Sequence, residues 1–196
     1  MLAAILLAAV SALAVVILIR ISGSGGVPPL NAVPISPPIA APLTAGRDSA
    51  GDLVSVPEGG RPAIVTFLYA HCTTSCPLVA GEIAIALDKA GPAAAKIDVV
   101  AISVDPIGDT RSEVKRFLAV HNLTGRMSYI IGPRSLLAPM WHAWGIAAQP
   151  VNAIRSTHTA VIVLVDKNGR EVASYAGAIP ISVPGLAADI QTLVTN

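Results

Sequence analysis

The sequence after residue 62 alternates short, continuous apolar runs with amphipathic stretches. The apolar runs are β-branched and aromatic, and they predict strands at residues 63–69, 97–104, 127–131, 159–166 and 170–175. The amphipathic or capped stretches predict helices at residues 77–90, 110–121, 135–144 and 183–194. The predicted order of elements is therefore β-α-β-α-β-α-β-β-α.

This order indicates the fold class. Continuous apolar strands separated by helices are typical of a parallel sheet with both faces covered. The Asn168-Gly169 pair predicts a tight hairpin, which adds antiparallel strands. We therefore predict an α/β protein with a central mixed sheet and helices on both faces. Its cysteine pair lies between the first strong strand and the following helix, which is the thioredoxin-like arrangement.

A long apolar run begins the chain. Residues 2–19 contain one polar residue, Ser11, and as a helix they would span roughly 27 Å, close to the ~30 Å hydrocarbon core of a bilayer. We assign residues 1–21 to a transmembrane anchor or signal segment. No Lys or Arg precedes the run, and no clear small-x-small cleavage site follows it, which favours an anchor. Arg20 alone leaves the orientation open.

The next 25 residues, 22–46, hold six prolines, four glycines and no charged residue. This composition predicts a semi-extended tether that could reach roughly 75 Å. Residues 47–196 would then form the globular domain. Its 12 acidic and 12 basic residues balance, so it lacks the basic excess that is typical of nucleic-acid binding.

The only two cysteines, Cys72 and Cys76, are four residues apart. Such a pair can hold a soft metal, cycle through a disulfide or form a static crosslink, although so short a loop gains little from a crosslink. Placed at the start of a helix, Cys76 is expected to have a lowered pKa. If the loop is helix-like, both sulfurs point to one place. Thiolates favour Cu(I), whereas a closed zinc site usually needs four ligands.

Four histidines could supply a third ligand. His158 is the strongest candidate, because it precedes the strand predicted at residues 159–166, and in thioredoxin-like folds the loop before that strand faces the cysteines. His71 adjoins Cys72, but along an extended chain its side chain is expected to point to the opposite face. His121 is interpreted as a helix-terminal residue and His142, between two tryptophans, as part of a packed surface.

The segment Phe67-Leu-Tyr-Ala-His-Cys-Thr-Thr-Ser-Cys-Pro77 resembles the SCO/SenC family, which comprises copper-handling, thioredoxin-like proteins of cytochrome c oxidase assembly. Three further segments are similar to that family, and together the resemblance covers roughly residues 52–196; they are Ala101-Ile-Ser-Val-Asp-Pro-Ile-Gly-Asp-Thr110, Asn122-Leu-Thr-Gly125, and His158 with Val165-Asp-Lys-Asn-Gly169. The resemblance implies that Cys72, Cys76 and His158 are copper ligands.

The sequence departs from the family pattern at two places. The spacer between the cysteines is Thr73-Thr74-Ser75, where the family usually has Pro-Asp, and Thr157 replaces the Asp that commonly precedes the ligand histidine. A carboxylate there could orient the imidazole, so its loss bears on affinity and on the preferred oxidation state of copper. Asp105 matches a family position and is interpreted as a turn residue before Pro106.

Three functions follow as hypotheses. The first is a metallochaperone, not an enzyme, that delivers copper to the binuclear copper site of cytochrome c oxidase subunit II. The second is a thiol–disulfide oxidoreductase that keeps partner cysteines reduced. The third is a peroxidase using Thr73-x-x-Cys76, although no arginine is near it in sequence. We expect a monomer, anchored in the membrane with its domain on the extracytoplasmic side, and no nucleic-acid partner.

Overall fold

The computed structural model describes residues 29–152, 155–158, 161–176 and 180–196. The described strands are β1 (Val33–Ala40), β2 (Thr44–Arg47), β3 (Leu53–Val56), β4 (Ala63–Leu68), β5 (Asp98–Ser103), β6 (Ser128–Ile130), β7 (Ala148–Asn152), β8 (Arg155–His158), β9 (Val161–Val165) and β10 (Arg170–Ala176). The described helices are α1 (Ser75–Ala90), α2 (Arg111–Val120), α3 (Arg134–Ala143) and α4 (Val183–Thr195), with a 3-10 helix at Gly91–Lys96.

Six strands form the central sheet, in the order β1-β10-β9-β4-β5-β6. Strands β4, β5 and β6 are parallel, whereas β9, β10 and β1 join by antiparallel pairing. The predicted α/β class with a central mixed sheet is therefore confirmed. The strands and helices predicted from β4 to α4 all occur in the predicted order, with ends that differ by one or two residues. The structure adds a hairpin, β7 and β8, between α3 and β9, which the sequence patterns did not predict.

Both faces of this sheet are covered. All six residues of β4 are buried, and since successive side chains of a strand alternate between faces, burial of the whole strand requires packing on each side. Helices α1 and α4 pack against one another. Near α3, the indole of Trp141 donates to the Ser103 carbonyl at 2.8 Å, and Trp144 meets Phe67 edge-on with ring centroids 6.1 Å apart.

The helix ends follow from local chemistry. The Thr110 hydroxyl accepts the Glu113 amide at the start of α2, and the Ser182 hydroxyl accepts the Gly185 amide at the start of α4. Helix α1 ends at Gly91, whose φ of 61° lies in the left-handed region that glycine adopts without strain. Pro139 lies inside α3, where it removes one backbone hydrogen bond without ending the helix.

The segment predicted to be a tether differs in the structure. Its described part, from residue 29, lies against the domain: β1 pairs with β10, and β2 pairs with β3. The domain therefore begins before residue 47. The predicted anchor, residues 1–21, lies outside the described residues. Within the part of the chain that is described, no helix is long and apolar enough to cross a bilayer.

A buried carboxylate fixes this N-terminal segment to the domain. Asp189 of α4 is fully buried, and it accepts the backbone amides of Asn31 and Ala32 at 2.7 and 3.0 Å. It also accepts the Asn31 side-chain amide at 2.9 Å and the Tyr175 hydroxyl at 2.5 Å. Burial, followed by this hydrogen bond, raises the pKa of Tyr175, so the phenol remains a donor. One carboxylate thus joins the N-terminal segment, β10 and α4.

We predict that Asp189→Asn lowers the free energy of unfolding by about 3 kcal/mol, because an amide cannot accept all four hydrogen bonds and leaves buried donors unpaired. Chemical denaturation of the purified protein measures this effect. The matched control is Asp52→Asn at an exposed position, which is expected to change stability by less than about 0.5 kcal/mol. Equal losses in the two variants would contradict the anchoring role.

Candidate metal centre

The connection between β4 and α1, residues 69–74, is called the cysteine loop. It lies at the carboxyl end of the parallel strands, where α/β folds commonly place their ligand-binding sites. Strand β4 ends at Leu68 and α1 begins at Ser75, so Cys72 is in the connecting loop and Cys76 in the first helical turn. The Cys72 amide donates to the Tyr69 carbonyl at 3.2 Å, which closes a turn in the loop. The neighbouring strand continues the sheet, since the Val104 amide donates to the Leu68 carbonyl at 3.0 Å.

The two thiols are reduced, buried and close together. Cys72 is 6% exposed and Cys76 is 1% exposed. The Cys76 amide lies in the first helical turn, where backbone amides have no acceptor within the helix, and it donates to the Cys72 sulfur at 3.3 Å. The hydroxyls of Thr74 and Ser75 lie 3.7 and 3.9 Å from the same sulfur. The unusual spacer therefore surrounds Cys72 with weak polar contacts.

The surroundings of the two cysteines shift the pKa values of their thiols in opposite directions. The Cys76 thiol donates a hydrogen bond to Cys72, and this bond is the main reason why the pKa of Cys72 lies well below the usual thiol range. The same bond, together with burial, raises the pKa of Cys76. The expectation that the helix start would activate Cys76 is therefore wrong. The helix amide stabilises the sulfur of Cys72 instead, while Cys76 keeps its proton.

Tyr69 completes the surroundings of the Cys72 sulfur. Burial, then a hydrogen bond to Cys72, raises the pKa of Tyr69 to about 12. The phenol is therefore neutral at physiological pH and available as a donor to the thiolate. No role for Tyr69 was expected from the sequence, although its place three residues before Cys72, at the end of an apolar strand, was a usable signal.

Asp109 supports the loop from inside the domain. Its carboxylate accepts the Ala70 amide at 2.7 Å, the Ser103 hydroxyl at 2.6 Å and the Tyr129 hydroxyl at 3.1 Å. Burial raises the pKa of Asp109 to about 6, against the lowering effect of these hydrogen bonds. No role for Asp109 was expected from the sequence. Its signal was the short Asp105-Pro-Ile-Gly-Asp109 turn after a buried strand.

The structure places His158 at the end of β8, in register with Ala148 of β7. Three residues later β9 begins at Val161, whose carbonyl accepts the Thr66 hydroxyl at 2.9 Å. Because β9 is antiparallel to β4, the chain enters the sheet from the end at which β4 leads into the cysteine loop. The role of His158 as a ligand stays a prediction, as does any effect of Thr157.

The other three histidines lie in different settings. His71 is directed to Glu113, with Nε2 3.3 Å from a carboxylate oxygen. His121 follows α2 as predicted and stacks near Phe117, with centroids 4.6 Å apart, and burial lowers its pKa. His142 is exposed on α3.

We predict that an ultraviolet pH titration of the reduced protein shows one thiolate forming well below the ~8.5 of an unperturbed thiol and the other well above it. Cys76→Ser should retain the early step, because the amide of residue 76 still faces the Cys72 sulfur, and Cys72→Ser should abolish it. The reverse result in the two variants would show that Cys76 is the thiolate.

The family model described as SCO1/SenC matches residues 48–195. No curated protein matches the chain. A similar solved structure is the copper-bound ScoI of Bradyrhizobium japonicum, with 27% sequence identity and a TM-score of 0.69, covering 79% of this chain and 99% of that one.

Two further structures are similar in fold. The apo Sco1 protein of Thermus thermophilus is 20% identical, with a TM-score of 0.72, and the match covers 86% of this chain and 99% of that one. BsSco, a member of the Sco family of cytochrome c oxidase assembly proteins in which a disulfide switch was identified, is 19% identical, with a TM-score of 0.69. That match covers 83% of this chain and 98% of BsSco. At these identities the two structures show the fold alone.

Proposed function

The chain belongs to the SCO1/SenC family, and we propose that it is a copper metallochaperone that holds its cargo through Cys72, Cys76 and His158. The observation that carries this proposal is the pair of buried, reduced sulfurs held one helical turn apart at the carboxyl end of the sheet. Two soft donors that face one another suit copper, and above all Cu(I). The copper-bound ScoI of Bradyrhizobium japonicum supports the same cargo.

The protonation of the two thiols affects how the protein would bind copper. The lowered pKa of Cys72 favours its thiolate form, which can bind an arriving ion directly. Cys76 holds its proton and must release it to become a ligand. Loading therefore displaces about one proton, and affinity for copper rises with pH until Cys76 ionises. An oxidised pair could not load at all, so copper binding depends on the redox state of the pair.

His158 would complete a three-coordinate site. Its strand pair leads into β9, which enters the sheet beside the end of β4. Three ligands leave the ion open to attack by a ligand of the acceptor, whereas four would close the site. An open site suits a carrier that must release its cargo by ligand exchange.

The acceptor in this proposal is the binuclear copper site of cytochrome c oxidase subunit II. The family resemblance supports this choice, and BsSco is an assembly protein of that oxidase. We propose further that residues 1–21 anchor the chain in the membrane, that the domain is on the extracytoplasmic side, and that it works as a monomer.

We predict that the reduced full-length protein binds one copper ion, measured by competition with a Cu(I) chelator and, for Cu(II), with a Cu(II) chelator. Cys72→Ser and Cys76→Ser should each abolish stoichiometric binding, because one sulfur cannot hold the ion alone. His158→Ala should weaken binding at least about tenfold, mainly for Cu(II), which prefers nitrogen donors. His142→Ala, an exposed histidine, is the control and should bind like the parent. A His158→Ala variant that binds both states like the parent would remove His158 from the ligand set.

A thiol–disulfide oxidoreductase is the second candidate, and the divided protonation of the cysteines favours it. The Cys72 thiolate would attack a partner disulfide and release one partner thiolate, forming a mixed disulfide. Cys76, once deprotonated, would then attack Cys72 and release the second partner thiol. The partner disulfide is reduced and a Cys72–Cys76 disulfide forms. The peroxidase alternative is disfavoured, since it needs an accessible, low-pKa Cys76.

The two candidates differ in their dependence on His158. We predict that the rate of exchange with a small disulfide is nearly unchanged by His158→Ala, since the histidine takes no part in sulfur chemistry, whereas copper affinity falls. A stopped-flow assay with an aromatic disulfide measures the rate. Rapid exchange without competitive copper binding in the parent protein would favour the oxidoreductase.

A further inference from the structure

A second group of potential ligands lies beside the cysteine loop. His71, Asp105 and Asp109 each offer one ligand atom, and these three atoms lie within 4.8 Å of one another. The three residues come from the cysteine loop and from the turn between β5 and α2. The group contains neither cysteine, and its donors are nitrogen and oxygen rather than sulfur.

Asp105 has an oxygen without a partner. The side chain is 2% exposed, and its Oδ1 atom accepts the amides of Ile107 and Gly108 at 3.2 and 2.9 Å. This confirms the predicted turn role of Asp105. Its Oδ2 atom is buried and has no hydrogen-bond partner among the residues that the structure describes. An unpaired carboxylate oxygen inside a protein is costly, and such an atom calls for an explanation.

The unpaired oxygen faces a space beside Gly108. A Cβ atom added to Gly108 would lie 2.2 Å from Asp105 Oδ2 and 3.1 Å from His71 Nδ1. The oxygen and the nitrogen thus converge on one point, which the absence of a side chain at residue 108 leaves open. A small ligand that accepts lone pairs from both atoms is a cation.

The imidazole ring of His71 is oriented so that one nitrogen faces Glu113 and the other faces Gly108 and Asp105. Its Nε2 atom lies 3.3 Å from Glu113 Oε2, the oxygen that Arg116 also contacts. The other nitrogen, Nδ1, lies on the side of Gly108 and Asp105. A carboxylate behind a histidine is the usual way in which proteins fix the tautomer of a metal-binding imidazole.

Asp109 supplies the third donor. Its Oδ1 atom accepts the Ala70 amide at 2.7 Å, the one hydrogen bond to this atom from the described part of the chain, and it therefore retains a lone pair. Among the described residues, the two carboxylates are contacted by amides and hydroxyls, and no lysine or arginine forms an ion pair with either one. Within the described ranges, the negative charge of these two carboxylates is therefore not compensated by a lysine or an arginine.

We propose that His71 Nδ1, Asp105 Oδ2 and Asp109 Oδ1 form a second metal site, for a divalent first-row cation such as Zn²⁺. One nitrogen and two carboxylate oxygens suit such an ion and not Cu(I). Tetrahedral ligands about 2.1 Å from zinc lie about 3.4 Å apart. His71, with 40% of its side chain exposed, can close the remaining gap. The site is separate from the proposed copper ligands, yet it directly adjoins Cys72.

The test removes the thiols first. In the full-length Cys72→Ser/Cys76→Ser protein, we expect equilibrium dialysis and calorimetry to find one Zn²⁺ per chain. Asp105→Asn or His71→Ala, added to this background, should weaken Zn²⁺ binding by about 100-fold or more, because each loses a ligand. Glu113→Gln should weaken it by about tenfold, since it alters only the group behind His71.

Matched controls are Asp52→Asn and His142→Ala, both exposed residues outside the group, which should bind Zn²⁺ like the background protein. Circular dichroism without metal identifies any variant that fails to fold, and the exposed His71→Ala keeps the test decisive if Asp105→Asn does so. Gly108→Ala is a further probe, because its Cβ would occupy the space between the two donors. It should also abolish Zn²⁺ binding.

Two results would overturn the proposal. One is the absence of Zn²⁺ binding by the background protein. The other is binding that Asp105→Asn and His71→Ala leave intact but His158→Ala abolishes, which would place the ion with the proposed copper ligands. Because the background lacks both cysteines, its outcome is independent of whether the parent protein carries copper.

Discussion

The shape of the cysteine loop depends on one buried carboxylate. Asp109 accepts the Ala70 amide from the start of the loop, the Ser103 hydroxyl from the end of β5 and the Tyr129 hydroxyl from β6. Burial makes its negative charge costly, and the surrounding donors offset part of that cost. This single group joins the loop to two strands of the sheet. The position of the two sulfurs therefore depends on Asp109, which contacts β5 and β6 through its side chain and belongs to neither strand.

The sequence predicted the elements that are buried on both faces, because continuous apolar strands and amphipathic helices leave clear periodic patterns. It failed for β1, whose prolines at positions 34, 37 and 38 suggested a spacer. Proline is tolerated there since β1 is an edge strand with an irregular register against β10. Tertiary contacts, including the hydrogen bond from the Asn31 amide to Asp189, determine that this segment folds onto the domain.

The candidate site shows a similar limit. Spacing alone brought Cys72 and Cys76 together correctly, but it assigned the activated thiol to the wrong residue. That assignment depends on which sulfur receives the hydrogen bonds and which is more deeply buried, and neither property is visible in a spacing. The same holds for Asp105, whose turn role was readable from the following proline, while its unpaired oxygen emerged only from the packing around Gly108.

The edge strand also has a consequence for where the domain can act. If residues 1–21 are held in a bilayer, only the nine residues 22–30 separate that point from Asn31, which is fixed to α4. A fully extended chain of this length reaches about 30 Å, far less than a tether continuing to residue 46 would allow. The domain would then diffuse in a thin layer over the membrane surface. Its encounters with a membrane-bound acceptor would then occur by two-dimensional diffusion. A short linker between anchor and domain raises the effective concentration of each partner near the membrane.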